Sequence, residues 1–496
     1  MIDSLDRPSA FEPANTARLM DMLARELEGY FQACQSSGGR TLPGSNPDQL
    51  VALARSTLTD GSDRYSGEHF RQLAATVLAH SHRLHDPRYM GHQVPPALPA
   101  AALFDLLGRA ANQGAAVFEM APFGTAAEKA VIQELGALIG WQPGNFAGIG
   151  THGGTLANVT ALLAARNLRY QNVWQEGMTS ADTKPAILTS ADSHYCIARA
   201  CGILGIGTSQ LLKVPVDGKR RMNIAEARRT IQRARDNGMD PFAIVGSACT
   251  TPTGSFDDLA GIGELAREAG LWFHVDGAHG ASFLFSQKHR HLLNGIEQAD
   301  SVAWDAHKML FVPALCTYLI YKKREHSWAP FAQDAPYLFD PADPSGMAEY
   351  DGGLRTFECT KGAISLGLWG IWSLYGRDFI TSLIDGVTER TKRFHQMITD
   401  APDFEAAHAP QCNILCFRYV PRGQEHGVEA MSALQQKIRA RLLRDGKWYI
   451  TGTRIDGTYW LRVTIINPLT GEKHLAGLLD AIRECMLAAA EGEGAK

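Results

Sequence analysis

The chain has 496 residues, of which 45% are hydrophobic and 20% charged, a composition typical of a globular protein with two or three packed units. A formal net charge of −4 with scattered lysine and arginine gives no general positive field, so we expect no nucleic-acid partner. Nine irregularly spaced cysteines exclude a disulfide framework and predict reduced thiols, which suits a cytoplasmic protein.

Residues 1–85 are predicted to form an N-terminal helical arm. The opening stretch MIDSLDRPSAFEP carries acids and a proline where a signal peptide needs a basic start and an apolar core. Amphipathic helical patterns follow from about residue 12 to 84, joined by a polar linker. No apolar run in the sequence reaches the roughly 18 residues of a membrane span, so we expect no membrane partner.

Residues 86–375 are predicted to form a large α/β domain. Short apolar runs such as AILTS, FAIVGSA and LWFHVD alternate there with helical patterns, which predicts a mostly parallel sheet with crossover helices. Residues 376–496 combine long helical patterns with the apolar runs NILCFRY, KWYIT and TYWLRVTII, which predicts a small C-terminal α+β domain.

A glycine-rich turn, GIGTHGGT, leads into a strongly helical pattern inside the large domain. Free backbone N–H groups at a helix start attract anions, and Gly153 and Gly154 allow a ligand to approach the backbone closely. Thr155 adds a hydroxyl donor, so this turn is predicted to bind a phosphate group. It lacks both the Walker lysine and the GxGxxG spacing, which gives a nucleotide site little support.

His194 lies in TSADSHYC, where the predicted strand AILTS ends and a helix begins. Ligand sites of open α/β sheets lie at the carboxyl ends of strands, so the imidazole ring is placed to stack on a ligand. A solvated residue at the start of a helix is the alternative interpretation.

Asp276 and Lys308 follow the next apolar runs, in HVDGAHG and DSVAWDAHKML, and are expected at the same edge of the sheet. Asp276 alone fits a helix cap or turn acid equally well. Lys308 is flanked by apolar and aromatic residues, and we expect desolvation to lower its pKa from about 10.4, which favours the neutral amine that an imine requires. For an isolated lysine, a solvated surface position is the alternative.

One cofactor uses all four features: a phosphate anchor, a stacking ring, a carboxylate against a pyridinium nitrogen and a lysine that forms an imine. That cofactor is pyridoxal 5'-phosphate. A zinc hydrolase built on His274, Asp276 and His279 is a competing hypothesis, but residue 279 lies beyond the turn and no spacing indicates a further ligand.

The sequence also resembles the group II pyridoxal-phosphate-dependent amino-acid decarboxylases, the family of glutamate, aromatic-amino-acid, cysteine-sulfinate and diaminobutyrate decarboxylases. The supporting stretches run in family order through most of the chain: HDPRYMGHQ, THGGTLAN, DSHYCIARA, TTPTGSFDD, HVDGAHG, HLLNGIEQADSVAWDAHKM, RTFECTKGAISLGLWGIWSLYG and LRVTIINP. The resemblance implies an α/β protein of fold type I, like aspartate aminotransferase, with a large mostly parallel sheet, an N-terminal helical arm and a small C-terminal α+β domain. It also implies a homodimer with active sites at the subunit interface.

The resemblance assigns roles to residues of the large domain. Lys308 resembles the lysine that holds the cofactor as an imine, Asp276 the partner of the pyridine nitrogen, and His194 the ring that stacks on the cofactor and assists proton transfer. Four residues resemble those that contact the phosphate in the family: Gly153, Gly154, Thr155 and His307. Thr251 resembles the residue whose hydroxyl lies near the cofactor's O3′ and the substrate.

Three residues are implied at the substrate. Arg462 in LRVTIINP matches the arginine that binds the substrate α-carboxylate, with a surface arginine as the alternative. Tyr350 in GMAEYDGG falls in a polar loop where family members place a tyrosine that protonates the substrate carbon, although an exposed loop tyrosine has the same pattern. Gln93 in GHQ falls where family members line the substrate pocket.

The sequence departs from the family pattern at three places. Asp305 stands where many relatives have asparagine, so it brings a negative charge near the phosphate or points away from it. Gly277 replaces a common alanine beneath the cofactor ring, and THGGT differs from the usual serine-bearing turn.

The implied reaction is decarboxylation of an L-amino acid to the corresponding amine and CO2, with Lys308, Asp276, His194 and Tyr350 as the catalytic residues. Other pyridoxal-dependent chemistry on an amino acid, such as that of an aldehyde synthase, oxidase, aminotransferase or desulfurase, remains an alternative. So does a decarboxylase-like binding protein without turnover, although the presence of Lys308 and Asp276 argues against it. The sequence does not identify the amino acid.

Overall fold

Seven strands form a large sheet in the middle of the chain. The structure is a computed structural model that describes residues 11–58, 67–181, 183–331, 349–421 and 427–493. The strands, in chain order, are β1 Ala147–Thr151, β2 Lys184–Ser190, β3 Leu211–Val214, β4 Met239–Ser247, β5 Trp272–Asp276, β6 Ser301–Asp305 and β7 Thr317–Tyr321. Their order across the sheet is β1-β7-β6-β5-β4-β2-β3, and β7 runs in the opposite direction to the other six strands. The predicted mostly parallel sheet is confirmed.

The buried strands of this sheet explain why the sequence pattern is apolar rather than alternating. Every residue of β6 and β7 is buried, as are six of the seven residues of β2. A parallel sheet with helices on both faces hides both sides of each strand, so its strands are continuous apolar runs. Leu162 on helix α6 (Gly154–Arg169) belongs to one buried apolar cluster with Ile187 of β2 and Val245 of β4.

Other helices of this part of the chain begin and end at residues that favour helix caps. Asp258 caps helix α10 (Leu259–Ala269) by accepting a hydrogen bond from the Gly261 amide, and the helix stops at Gly270, whose φ of 68° suits glycine. The remaining helices are α4 Pro99–Ala110, α5 Pro122–Ile139, α7 Val173–Glu176, α8 Cys196–Ile203, α9 Ile224–Asp236 and α11 Leu366–Asp400. Gly376, with φ 79° and ψ 173°, interrupts α11.

Strands β5 and β6 lie side by side and end at the same edge of the sheet. Their parallel register pairs His274 with Ser301 and Asp276 with Ala303. β5 ends at Asp276 and β6 ends at Asp305, three residues before Lys308. The turn that carries Lys308 therefore begins beside the strand end that carries Asp276, as predicted.

A second, four-stranded sheet forms in the C-terminal part. Its strands are β8 Phe404–Ala406, β9 Ile414–Tyr419, β10 Thr451–Ile455 and β11 Thr458–Thr464, in the order β10-β11-β9-β8. The pairs β8/β9 and β10/β11 are antiparallel, and the helices of this part are α12 Val428–Asp445 and α13 Glu472–Glu493. The predicted strand KWYIT is displaced, because Tyr449 forms an isolated bridge with Tyr89 and the ladder begins only at Thr451.

The described residues divide into two compact units. The larger contains residues 93–392 and 408–415, and the smaller contains the described residues up to 92, 393–407 and those from 416 onwards. The smaller unit thus includes the N-terminal helices α1 Pro13–Gln35, α2 Pro47–Thr57 and α3 Gly67–His80 as well as the C-terminal helices. Among the helices described, none has the length and apolar character that a membrane span requires.

Candidate active site

A cavity of about 370 Å³ in the larger unit gathers most of the predicted site residues. Nine of the eleven line it: Gln93, Gly153, Gly154, Thr155, His194, Thr251, Asp276, His307 and Lys308. The cavity also has walls that the sequence analysis did not assign, among them Asn158, Cys196, Cys249, Ala278 and Leu315. The structure therefore brings six separate sequence motifs together in one place.

The glycine-rich turn forms one wall of the cavity at the start of α6. Gly153 has φ 100°, a backbone conformation that other residues rarely adopt, and Gly154 is the first helical residue. A Cβ atom on Gly154 would lie only 3.0 Å from Oδ1 of Asp305. The N–H groups of the first helical turn have no partner within the helix, so this wall suits a phosphate group.

Asp276 is buried at the end of β5 and fixed by two donors. Oδ1 accepts a hydrogen bond from the Ala278 amide at 3.2 Å, and Oδ2 lies 3.9 Å from the Cys196 Sγ. Burial, reinforced by the Asp276 carboxylate, raises the pKa of the Cys196 thiol, so the thiol keeps its proton and donates it. A carboxylate held in this way can accept a hydrogen bond from a protonated pyridine nitrogen.

His194 lies two residues before the start of α8 and has a neutral ring. Burial lowers its pKa from the ordinary value, and the opposing Asp276 carboxylate does not reverse this. Nδ1 accepts a weak hydrogen bond from the Cys196 amide at 3.3 Å, which places the proton of the neutral ring on Nε2. A neutral imidazole that lines the cavity suits the predicted stacking role.

Lys308 forms an ion pair with Asp305 inside the cavity wall. Nζ lies 2.9 Å from Oδ2 of Asp305, whose side chain is only 1% exposed. Burial lowers the pKa of Lys308, but the carboxylate of Asp305 and, secondarily, that of Asp276 outweigh burial and raise the pKa above its ordinary value. The expectation of a lowered pKa is wrong because it considered only the apolar neighbours and not the acid three residues earlier.

Backbone hydrogen bonds also position the other residues that are predicted to contact the phosphate and the ring. Nδ1 of His307 donates to the Cys316 carbonyl oxygen at 2.8 Å. Thr251 lies within a turn that is closed by a hydrogen bond from the Thr250 amide to the Ser255 carbonyl at 2.8 Å. A Cβ atom on Gly277 would lie 2.9 Å from the Cβ of Ala281, so this position faces packed residues and Ala278 supplies the alanine of the cavity wall.

A buried polar chain behind the cavity was missed by the sequence analysis. Asn158 donates to the Gly154 carbonyl at 2.8 Å, and its Oδ1 lies 2.7 Å from Nε2 of His274. Nδ1 of His274 lies 2.8 Å from the Ser301 hydroxyl, and burial lowers the pKa of His274 to about 4. The neutral His274 ring therefore holds Asn158 and the start of α6. The one sequence signal for this was the HxD pattern, which puts His274 on the same face of β5 as Asp276.

The two histidines of the zinc hypothesis are engaged elsewhere. His274 contacts Asn158 and Ser301, while Nε2 of His279 lies 2.7 Å from Oδ1 of Asn413. Within the described ranges, no group of three or more histidine, cysteine, aspartate or glutamate side chains is arranged to hold a metal ion.

Tyr350 and Arg462 do not line the cavity. The Tyr350 ring contacts Phe118 with centroids 5.5 Å apart, and Nζ of Lys129 lies 4.2 Å above the ring. Most of the predicted loop before it, residues 332–348, lies outside the described residues. Arg462 belongs to the smaller unit, where its side chain is buried on β11 and Nη1 donates to the Gly91 carbonyl and the Thr451 hydroxyl at 3.4 and 3.3 Å.

Gln93 presents a polar group to the cavity. Its Nε2 atom is buried and has no hydrogen-bond partner among the described residues. A buried amide donor without a partner costs free energy, and a ligand carboxylate would remove that cost. The position is thus suited to contact a substrate.

Three comparisons relate the chain to known proteins. Residues 50–420 match the family of the pyridoxal-dependent decarboxylase conserved domain. The chain is 30% identical over 479 residues to cysteine sulfinic acid decarboxylase of Mus musculus, covering 93% of this chain and 94% of the relative. It is 32% identical over 373 residues to an L-aspartate decarboxylase of Metarhizium robertsii, covering 75% and 73%. The crystal structure of mouse CSAD superimposes with a TM-score of 0.88 at 27% identity, covering 96% of this chain and 99% of that one.

Proposed function

The chain belongs to the family of pyridoxal-dependent amino-acid decarboxylases, and from that premise we propose that its substrate is a short acidic L-amino acid. The family establishes a carboxy-lyase that uses pyridoxal 5'-phosphate to decarboxylate an amino acid. The names of two relatives give cysteine sulfinic acid and L-aspartate as what those proteins act on. Both are amino acids with a short, negatively charged side chain.

The observation that carries the residue assignments is the cavity in which Lys308, Asp276 and the α6 turn meet. These residues fit the cofactor: an amine, a fixed carboxylate and an anion-binding helix start line the walls of one cavity. Lys308 would hold the cofactor through Nζ, and Asp276 would hold a proton on the pyridine nitrogen. Gly153, Gly154 and Thr155, with His307, would hold the phosphate.

The bound cofactor supplies an electron sink that weakens the bond between Cα and the carboxylate. The chain supplies the orientation and the protons. His194, a neutral ring on the cavity wall, would stack on the cofactor and exclude water, and Thr251 would donate its hydroxyl near the cofactor oxygen. Holding one substrate bond in the reactive orientation is what converts binding into rate.

Two side chains would bind the substrate itself. The resemblance gives the α-carboxylate to Arg462, whose guanidinium can hold a carboxylate by two parallel hydrogen bonds; this role stays a prediction, because Arg462 does not line the cavity. Gln93 would contribute its buried Nε2 donor to the second carboxylate or sulfinate group. A negatively charged side chain suits this donor better than an aromatic one.

A substrate panel tests the proposal. The purified protein, loaded with pyridoxal phosphate, is given L-aspartate, L-cysteine sulfinate, L-glutamate, L-tryptophan, L-tyrosine and L-2,4-diaminobutyrate, and amine formation is measured. We expect kcat/KM for aspartate or cysteine sulfinate to exceed that for the aromatic and basic substrates by on the order of 10²-fold or more, since a polar subsite rejects side chains that cannot pair with it. Preference for an aromatic or basic amino acid would contradict the acidic substrate and leave the family unchanged.

Tyr350 is proposed as the acid that protonates Cα after CO2 leaves. Replacing it by phenylalanine keeps the ring that contacts Phe118 and removes only the hydroxyl, so we expect amine formation to fall by about 10²-fold or more, the usual contribution of a general acid. Aldehyde or oxidation products should appear in place of the amine. The matched control is Tyr375→Phe, another exposed tyrosine of the larger unit. Unchanged amine formation by the Tyr350→Phe variant would remove Tyr350 from the mechanism.

We further propose a cytoplasmic homodimer. The dimer is inferred from the family resemblance and agrees with exposed apolar side chains in the larger unit, Leu103, Leu107 and Phe123. The nine cysteines all lie in the described part of the chain and form no disulfide there, which agrees with a reducing compartment. Sedimentation of the loaded protein measures the oligomeric state directly, and a monomer at micromolar concentration would contradict the proposed dimer.

A further inference from the structure

Asp305 is the departure from the family pattern that the structure places most precisely. Its carboxylate contacts three groups: Lys308 Nζ at 2.9 Å, the Thr317 hydroxyl at 2.6 Å and, at 3.6 Å, Nε2 of His307. The side chain is 1% exposed, so water does not share these contacts. An asparagine at this position would carry no charge, and its single side-chain oxygen could accept from only one of the two sides that Lys308 and Thr317 occupy.

The surroundings keep Asp305 ionised. Burial raises the pKa of a carboxyl group, but the charges of Lys308 and His307 and the Thr317 hydroxyl outweigh burial and hold the pKa of Asp305 below its ordinary value. The carboxylate also lies against Gly154, at the N-terminus of the 16-residue helix α6, where negative charge is favoured. Asp305 is therefore a fixed negative charge within reach of the lysine amine.

We propose that Asp305 is a positioning residue that holds a proton on Lys308 Nζ in the protein without cofactor and thereby makes covalent loading of pyridoxal phosphate dependent on pH. Loading requires the ammonium of Lys308 to release one proton. The free amine then attacks the cofactor aldehyde, a carbon–nitrogen double bond forms and one water molecule leaves. The ion pair must break before the first of these events.

The other groups that face Lys308 do not replace Asp305 in this role. Asp276 also favours the charged amine, but less than Asp305 does, and the thiol of Cys249 contributes only weakly. His194 is neutral because burial lowers its pKa. Nε2 of His307 lies 3.6 Å from the same Oδ2 atom that the lysine contacts at 2.9 Å, so it shares the carboxylate with the lysine. Removing the charge of Asp305 should therefore lower the pKa of Lys308 more than any other single substitution in the cavity wall.

The test is covalent loading of the Asp305→Asn protein as a function of pH, followed by absorbance without any amino acid present. We expect the pH midpoint for loading to move to lower pH than in the unsubstituted protein, with about tenfold more free amine at neutral pH for each unit by which the lysine pKa falls. Asp300→Asn is the control: it makes the same change just before β6, roughly 16 Å away along the strand. Thr317→Val tests whether altered packing alone moves the midpoint, since it removes the hydroxyl contact but keeps the carboxylate. We expect its pH midpoint for loading not to move to lower pH.

A second ligand distinguishes the effect of Asp305 on the lysine from its effect on phosphate binding. The same carboxylate lies near the phosphate wall, so Asp305→Asn should also strengthen binding of pyridoxamine phosphate, which has no aldehyde and needs no free amine. We expect the gain in affinity for pyridoxal phosphate to exceed the gain for pyridoxamine phosphate. An unchanged pH midpoint, or equal gains for the two ligands, would overturn the proposal. Because no substrate is present, either result is independent of the proposed acidic substrate.

Discussion

Replacing Lys308 by alanine should abolish covalent attachment of the cofactor and lower kcat/KM by on the order of 10⁴-fold or more, the scale on which enzymes lose rate when the covalent group itself is removed. The physical reason is specific to one atom: among the nine predicted residues that line the cavity, Lys308 alone carries an amine. After borohydride reduction, mass spectrometry should find cofactor on the Lys308 peptide of the unsubstituted protein and none in the variant.

The control for this experiment is Lys288→Ala, at a solvent-exposed lysine whose Nζ lies 3.7 Å from Oδ2 of Asp385. It should keep both the attached cofactor and the rate. Cofactor attached to a different lysine in the Lys308→Ala protein, with turnover retained, would show that the cavity has been assigned to the wrong chemistry.

The second large effect is expected at Asp276. Asparagine keeps the size of the side chain and can accept the Ala278 amide bond, but it cannot hold a proton on the pyridine nitrogen by charge. We expect kcat/KM to fall by about 10² to 10³-fold, the loss typical of removing one preorganised electrostatic group, while the cofactor stays attached to Lys308.

This prediction is tested by measuring cofactor attachment and turnover separately. Absorbance of the loaded variant reports the cofactor, and amine formation reports the rate. The Asp300→Asn protein again serves as the matched change of acid to amide. A rate within threefold of the unsubstituted protein would mean that the charge of Asp276 has no part in the chemistry.

The sheet and the location of the site were predictable because both depend on short-range patterns. Continuous apolar runs ending in HVD and in WDAHK indicate buried parallel strands, and parallel strands bring their carboxyl ends to one edge. That geometry alone brings Asp276 near the turn that carries Lys308. The structure confirms the strands and adds the register, Asp276 beside Ala303.

The electrostatics of the site were not predictable in the same way. Whether Asp305 points toward the lysine depends on the turn after β6 and on Thr317 of β7, which lies opposite Asp305 in the antiparallel pair. The chain of Asn158, His274 and Ser301 joins residues up to 143 positions apart (301 − 158), and no local pattern indicates such contacts. Sequence alone also does not show that the N-terminal helices share a compact unit with the C-terminal sheet.

One measurement tests both the substrate proposal and the residue roles: the product balance of the loaded protein with L-aspartate and with L-cysteine sulfinate. Each substrate should give CO2 and the corresponding amine in equal amounts, with no aldehyde or peroxide, and both products should disappear when Lys308 is replaced. Aldehyde and peroxide in place of the amine, or no CO2 from either acid while an aromatic amino acid is consumed, would contradict the account.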